Sequence, residues 1–171
     1  MPRSSYKPYK RNYRSYSNKQ KWSPVLRDIA ATQYPINPTS TDATYFTCVE
    51  NSPETASPTP TIIKVKHLKV SLDILADATV LNNGFCALIY LPQGYAFSAG
   101  LPIQHPEWIL GWRNIPNVVS ATHHNIMLNS PLSRNLNSGD KVICMFSFYN
   151  SATGPTTFGF TARYSCVVRN N

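Results

Sequence analysis

Acidic residues are scarce in this chain, with only 8 Asp plus Glu in 171 residues and none within the first 27. Apolar runs are short as well. None reaches the ~20 residues that a membrane-spanning helix requires, so no membrane insertion is expected. No apolar segment follows the N-terminal charges, so a secretory signal is not expected either. Cysteine pairs at metal or redox spacing are absent. Cys48, Cys86, Cys144 and Cys166 each sit singly in an apolar run and read as buried free thiols acting as small hydrophobes. His67, His105, His123 and His124 lie at no ligand spacing to them, so no metal and no cofactor is expected. The chain has no G-x-S-x-G, no H-E-x-x-H and no P-loop pattern. Glu107 and Asp140 are carboxylates without a recognisable partner in sequence. These absences argue against an enzyme. Capped amphipathic helices and internal repeats are missing too.

What is present is sharply divided. Residues 1–27 carry Arg3, Lys7, Lys10, Arg11, Arg14, Lys19, Lys21 and Arg27, half of the 16 basic residues. The remainder, 28–171, balances 8 basic against 8 acidic residues, so the net charge of +8 belongs to the arm. Such a segment buries too little apolar area to offset the entropy of ordering, and it is expected to be disordered or extended on its own. Tyr6, Tyr9, Tyr13, Tyr16 and Trp22 are interleaved with the cations. Cations neutralise phosphates and aromatic faces stack on unpaired bases, so the arm reads as a binder of single-stranded nucleic acid. The candidate binding residues are the eight cations together with Tyr6, Tyr9, Tyr13 and Tyr16. Plainer readings are a solubilising tail or a nuclear-import signal, although Lys10-Arg11 is the only adjacent basic pair.

The body, 28–171, has the size of one domain and a composition rich in Thr, Ser, Val, Ile, Tyr and Phe, with Pro as punctuation. Residues 23–38 read as a transition. Residues 45–49 read as a short first strand, and the proline-rich 51–60 as a loop. Residues 61–74 form the longest strand candidate: Leu68, Val70, Leu72 and Ile74 alternate with polar residues. Its apolar parity switches near Lys66-His67, which predicts a bulge or a crossing between sheets. Asn82-Asn83-Gly84 reads as a turn. Residues 85–91 read as a buried central strand, with shorter strands at 95–103, 108–112 and 118–128, and a polar loop at 129–139. Residues 140–149 are apolar on both faces and are expected to be covered on both. Residues 156–169 alternate cleanly, joined to the preceding strand by 151–155 as a hairpin. About eight strands in one neutral domain predict an all-β sandwich, best matched by an eight-stranded jelly roll. An immunoglobulin-like sandwich is the rival, without its Cys…Trp…Cys arrangement.

Three segments resemble a known family. Ile89-Tyr90-Leu91-Pro92-Gln93-Gly94 resembles the strand followed by Pro-Glu/Gln-Gly of capsid proteins of circular, Rep-encoding single-stranded DNA viruses. Pro106-Glu107-Trp108 is similar to a Glu-Pro stretch there, in altered order. Residues 130–140 (SPLSRNLNSGD) resemble the loop Pro-Leu-x-Arg-Asn-Leu-x-x-Gly-Asp that precedes a strand. The resemblance covers 88–148. It implies a viral jelly-roll shell domain (28–171) behind a basic nucleic-acid-binding arm (1–27), and self-assembly into a small icosahedral homo-oligomer around a circular single-stranded DNA genome. It also implies a place in the virion, passage through the host cell nucleus, and contact with host nuclear import factors. Trp108, Trp112, Leu132 and Leu136 are then either subunit contacts or ordinary core. RNA cargo, a small RNA or satellite virus coat protein, a cellular nucleic-acid-binding β-barrel, and a sandwich enzyme or sugar-binding module stand as alternatives.

Overall fold

The structure is a computed structural model that describes residues 21–52, 62–76, 81–115 and 123–170. Nine strands lie among them: β1 (Ser23–Ile36), β2 (Thr41–Glu50), β3 (Ile63–Ala76), β4 (Leu81–Leu91), β5 (Ile109–Ile115), β6 (His123–Ser130), β7 (Arg134–Leu136), β8 (Lys141–Asn150) and β9 (Thr156–Asn170). Between β4 and β5 come a one-turn helix, α1 (Leu101–Gln104), and a 3-10 turn at Pro106–Trp108.

All strand pairings are antiparallel. One sheet runs β1-β9-β3-β6, with β7 also on β3; the other runs β2-β8-β4-β5. β7 pairs Ile63–Val65 and β6 pairs Leu68–Leu75, so the two are successive pieces of one edge. The five-stranded sheet (1-9-3-6/7) and the four-stranded sheet (2-8-4-5) are thus the layers of an eight-stranded sandwich once β6 and β7 count as one edge. Successive strands pass back and forth between the layers except at β4–β5 and β6–β7, which stay within one layer. That order is the jelly roll, and it confirms the fold class.

The core lies between the layers. Val70, Leu72 and Ile74 of β3 and Phe158, Phe160 and Cys166 of β9 face Phe46 and Cys48 of β2, Cys86 and Leu88 of β4, and Cys144, Phe146 and Phe148 of β8. Phe146 is fully buried, and its ring centroid lies 4.9 Å from Phe160 and 5.8 Å from Phe46. All four cysteines are free and buried. Burial pushes the Cys86 thiol up to about 12 and Cys166 to about 11, and raises Cys48 and Cys144 further, so they stay neutral and serve as apolar filling.

A second apolar cluster covers the outer face of the four-stranded sheet. Ala87, Ile89, Leu91, Ile143 and Met145 are buried there beneath Leu101, Phe97 and Trp108 of the segment between β4 and β5. β8 is therefore covered on both faces, as its composition predicted.

The bulge expected near His67 is present. The β3–β9 register shifts between Lys66 and Lys69, and His67 has φ 52°. The strand stays within one sheet and does not cross.

Five expectations are corrected. Residues 23–38 are mostly strand, not transition, and β1 begins inside the segment assigned to the arm. Pro24 and Pro35 are tolerated because β1 is an edge strand bonded only to β9. Residues 95–100 are a loop and 101–103 belong to α1, so the stretch is not a strand; its Phe97 and Leu101 cover a sheet instead of joining one. Asn82-Asn83-Gly84 is a bulge inside β4, not a turn: Asn83 has φ 51° and the register shifts from Asn82 to Phe85. A Cβ on Gly84 would lie 2.6 Å from Ile115 Cβ and 2.7 Å from Phe148 Cε1, so this approach requires glycine. Within the polar loop 129–139, residues 134–136 form β7. Residues 151–155 carry the chain from one sheet to the other, so β8 and β9 do not pair as a hairpin. Residues 53–60 of the proline-rich loop expected at 51–60, residue 61 of the strand expected at 61–74, and 118–122 of the strand expected at 118–128 lie outside the described residues.

Truncating Phe146 leaves a cavity that close-packed aromatic neighbours fill poorly. Phe146→Ala is expected to lower unfolding free energy by about 3–5 kcal/mol in urea titration. A loss below about 1 kcal/mol would place the ring outside the core.

Candidate nucleic-acid interface

Of the residues expected to bind nucleic acid, Arg3, Lys7, Lys10, Arg11, Arg14, Lys19, Tyr6, Tyr9, Tyr13 and Tyr16 lie outside the described residues. Lys21 and Arg27 are described, and the fold separates them. β1 enters its sheet with Ser23 opposite Val168, and β3 begins with Lys64 opposite Arg169. The start of β1, the end of β9 and the start of β3 therefore meet at one corner. Exposed Lys21 leads into it, next to half-buried Trp22. The Lys66 ammonium lies 4.9 Å from the Trp22 ring centroid, and the Arg169 guanidinium carbon lies 5.1 Å from it. Each contact is worth about 0.5–1 kcal/mol at an exposed site. The corner places two cations beside an aromatic ring where the arm joins the domain.

Arg27 stands elsewhere. It lies opposite Tyr164 in the β1–β9 register, with its side chain on the core side at the sandwich edge. With Glu50, Cys48, Val49 and Tyr164 it lines a cavity of about 370 Å³ between β1 and β2. Its backbone belongs to the sheet, so the arm's last cation is part of the domain.

Arg169 was missed in sequence. The alternation of 156–169 puts it on the polar side of β9, but only the register brings it to Trp22 and Lys66.

The three segments that carry the family resemblance also come together. Asp140, 3% exposed, is their centre. Its Oδ2 accepts from the Tyr90 hydroxyl at 2.7 Å and the Asn137 amide at 2.8 Å, and its Oδ1 accepts from the Gln93 amide at 2.9 Å. Asn51 ties in a fourth segment. Its amide donates to the Asp140 carbonyl at 2.9 Å, its carbonyl accepts from the Gly139 amide at 2.7 Å, and its side chain donates to the Leu136 carbonyl at 3.0 Å. Gly139 has φ 83°, and a Cβ there would lie 2.6 Å from Gln93 Cγ. Arg134 donates to the Glu107 carbonyl at 2.9 Å and lies 5.2 Å from the Tyr90 ring centroid. Arg134 and Asp140 thus grip Tyr90 from ring and hydroxyl. Glu107 faces His105 Nδ1 at 3.1 Å, and His105 stacks on Trp108 at 3.8 Å. The Glu107 carboxyl is held low by its own backbone amide and then by His105.

Asp140 therefore has three hydrogen-bond donors, which its neighbours in sequence do not reveal. It fastens the loops. Among the described residues, no group of three or more His, Cys, Asp or Glu is placed to hold a metal ion.

The jelly-roll assignment stands on the strand order. No family model matches this chain, and no curated protein matches it in sequence. Among solved structures it is similar to a chain of Desmodium yellow mottle tymovirus, at 13% identity and TM-score 0.40, covering 100% of this chain and 93% of that one. It is also similar to the decameric BFDV capsid protein, at 10% identity and TM-score 0.36, covering 88% and 99%. A chain from infectious bursal disease virus, Gx strain, matches at 9% identity and TM-score 0.40; 85% of this chain is covered, but only 32% of that one.

The Tyr90 hydroxyl is pushed up to about 12, first by burial and then by its bond to the Asp140 carboxylate. A raised pKa means that the fold favours the neutral phenol. Its stabilising contribution is full below the ordinary value near 10 and is lost as pH rises through about 12. In an ultraviolet titration, the difference between the unaltered chain and Tyr90→Phe is expected to be one phenol ionising near 12. A missing phenol that ionises near 10 would show that the hydroxyl is not bound to Asp140.

Proposed function

We propose that this chain is a viral capsid protein that assembles into a small icosahedral shell and packages circular single-stranded DNA through its basic N-terminal arm. One observation carries the reading: a segment holding the chain's whole net charge leads directly into the first strand of a jelly roll. The domain behind it is neutral overall. Copies of a neutral body meet without net repulsion, while the arms stay free to neutralise a polyanion. With Arg27 built into the sheet, the seven other cations of each arm would, in a shell of about sixty copies, offset on the order of 420 phosphates.

The surface supports contacts between copies. Ile103 is 86% exposed, Trp112 60%, Leu132 52% and Tyr95 51%. Leu132 stands on the loop bound at Asp140, Tyr95 packs edge-on against Trp108 at 4.8 Å, and Ile103 stands on α1. Trp112 is partly stacked on Phe85, with ring centroids 6.0 Å apart. Leu136 is fully buried and Trp108 is half-buried on the outer apolar cluster, so these two belong to packing rather than contact. The same arm serves import into the host nucleus through host import factors before assembly. The domain has no catalytic role in this reading.

Electron microscopy of the purified chain is expected to show closed particles of uniform diameter. Nuclease-protected nucleic acid recovered from them is expected to be single-stranded DNA. Replacing Arg3, Lys7, Lys10, Arg11, Arg14 and Lys19 by Gln is expected to leave the fold intact and empty the particles. A chain that stays monomeric in every buffer contradicts the shell, undiminished packaging by the neutralised variant contradicts the arm's role, and RNA in the particles contradicts the cargo.

A further inference from the structure

We propose a second binding site for single-stranded nucleic acid, on the outer face of the five-stranded sheet from Trp22 to Lys69. It belongs to the folded domain and acts alongside the arm. The nature of the ligand rests on the packaging reading above.

The site depends on the bulge in β3. Val65 and Leu68 both face the core, 4% and 3% exposed, although three residues apart they would point to opposite faces of a regular strand. The register shift between Lys66 and Lys69 takes up the extra residue, with His67 in the left-handed region at φ 52°. A non-glycine residue there is strained, and such strain is retained where it re-aims neighbouring side chains. Its effect is to put Lys64, Lys66 and Lys69 all on the outer face. Without the bulge, a strand that kept Lys64 and Lys66 outside would send Lys69 into the core and turn Leu68, Val70, Leu72 and Ile74 outward.

The neighbours add cations and hydrogen-bonding groups. Lys64 lies opposite Arg169 on one side and Asn135 on the other, and Lys69 lies between Ser165 and Asn129. By register, no Asp or Glu of the described residues shares this half of the face. Trp22 adds a ring on which an unpaired base can stack, beside Lys66 and Arg169.

The face has an end. Further along β9, Arg163 is held by Asp28 through Nε at 2.6 Å and Nη2 at 3.2 Å, and Asp73 shares that half. The outer face of the other sheet contrasts with it: Lys141 lies opposite Glu50, and most of the rest is apolar and covered. Cations are thus gathered on this half of one outer face, while the other outer face is mainly apolar.

The test uses the full chain, an oligo(dT) probe and binding measured over a salt series. Each phosphate contact on a single strand contributes about 0.7 to the slope of log K against log salt. Combined Lys64→Gln, Lys66→Gln and Lys69→Gln substitution is therefore expected to flatten the slope by about 2. Trp22→Ala is expected to weaken binding about tenfold. These side chains point outward, so an unchanged melting temperature checks the fold. An unchanged slope in the sheet triple, with a flattened one in Lys7→Gln, Lys10→Gln, Arg11→Gln, overturns the sheet site and leaves the arm reading standing. Failure of the unaltered chain to bind removes both.

Discussion

A strand inside a sheet offers alternate side chains to two faces, and β3 must satisfy both. It is bonded to β9 on one side and to β6 and β7 on the other, so a slip of one residue would turn its whole apolar set outward. Val65 before the bulge and Leu68, Val70, Leu72 and Ile74 after it all reach the core. This is possible only because one left-handed residue, His67, resets the parity. The same reset aligns the lysines. Core packing and surface charge are two outcomes of one backbone irregularity.

The two layers are finished differently. The four-stranded layer is apolar on both faces, and the segment between β4 and β5 folds over its outside. That segment is held by Arg134 at the Glu107 carbonyl and by Gln93 at Asp140. The five-stranded layer has its cations and polar groups outside. A sandwich built this way presents a rigid, partly apolar set of loops to other proteins and a cationic sheet to a polyanion. The arm joins at the cationic corner.

Periodicity made much of this legible. β3, β8 and β9 could be read from alternation, the two apolar faces of β8 from Ile143 and Met145, and the bulge from the parity change at Lys66-His67. β1 could not, because Pro24, Pro35, Arg27 and Asp28 have the composition of a linker; only an edge position makes them compatible with a strand. The turn at 151–155 has hairpin chemistry, but local signals do not say whether the next strand pairs or crosses to the other sheet. The partners of Asp140 come from three segments, around Tyr90 and Gln93, Asn137 and Asn51, so the set was invisible, although the resemblance had marked two of them. Arg169 and Lys66 meet at Trp22 only through strand register.

The account stands on cations being gathered on one half of the outer face of the β3 sheet and used by a polyanion. Lysine acetylation of the full chain, read by mass spectrometry with and without single-stranded DNA, tests this directly. The expected result is that Lys64, Lys66 and Lys69 lose reactivity when DNA is bound while Lys141 does not. Protection of Lys141 with the β3 lysines unchanged would contradict it.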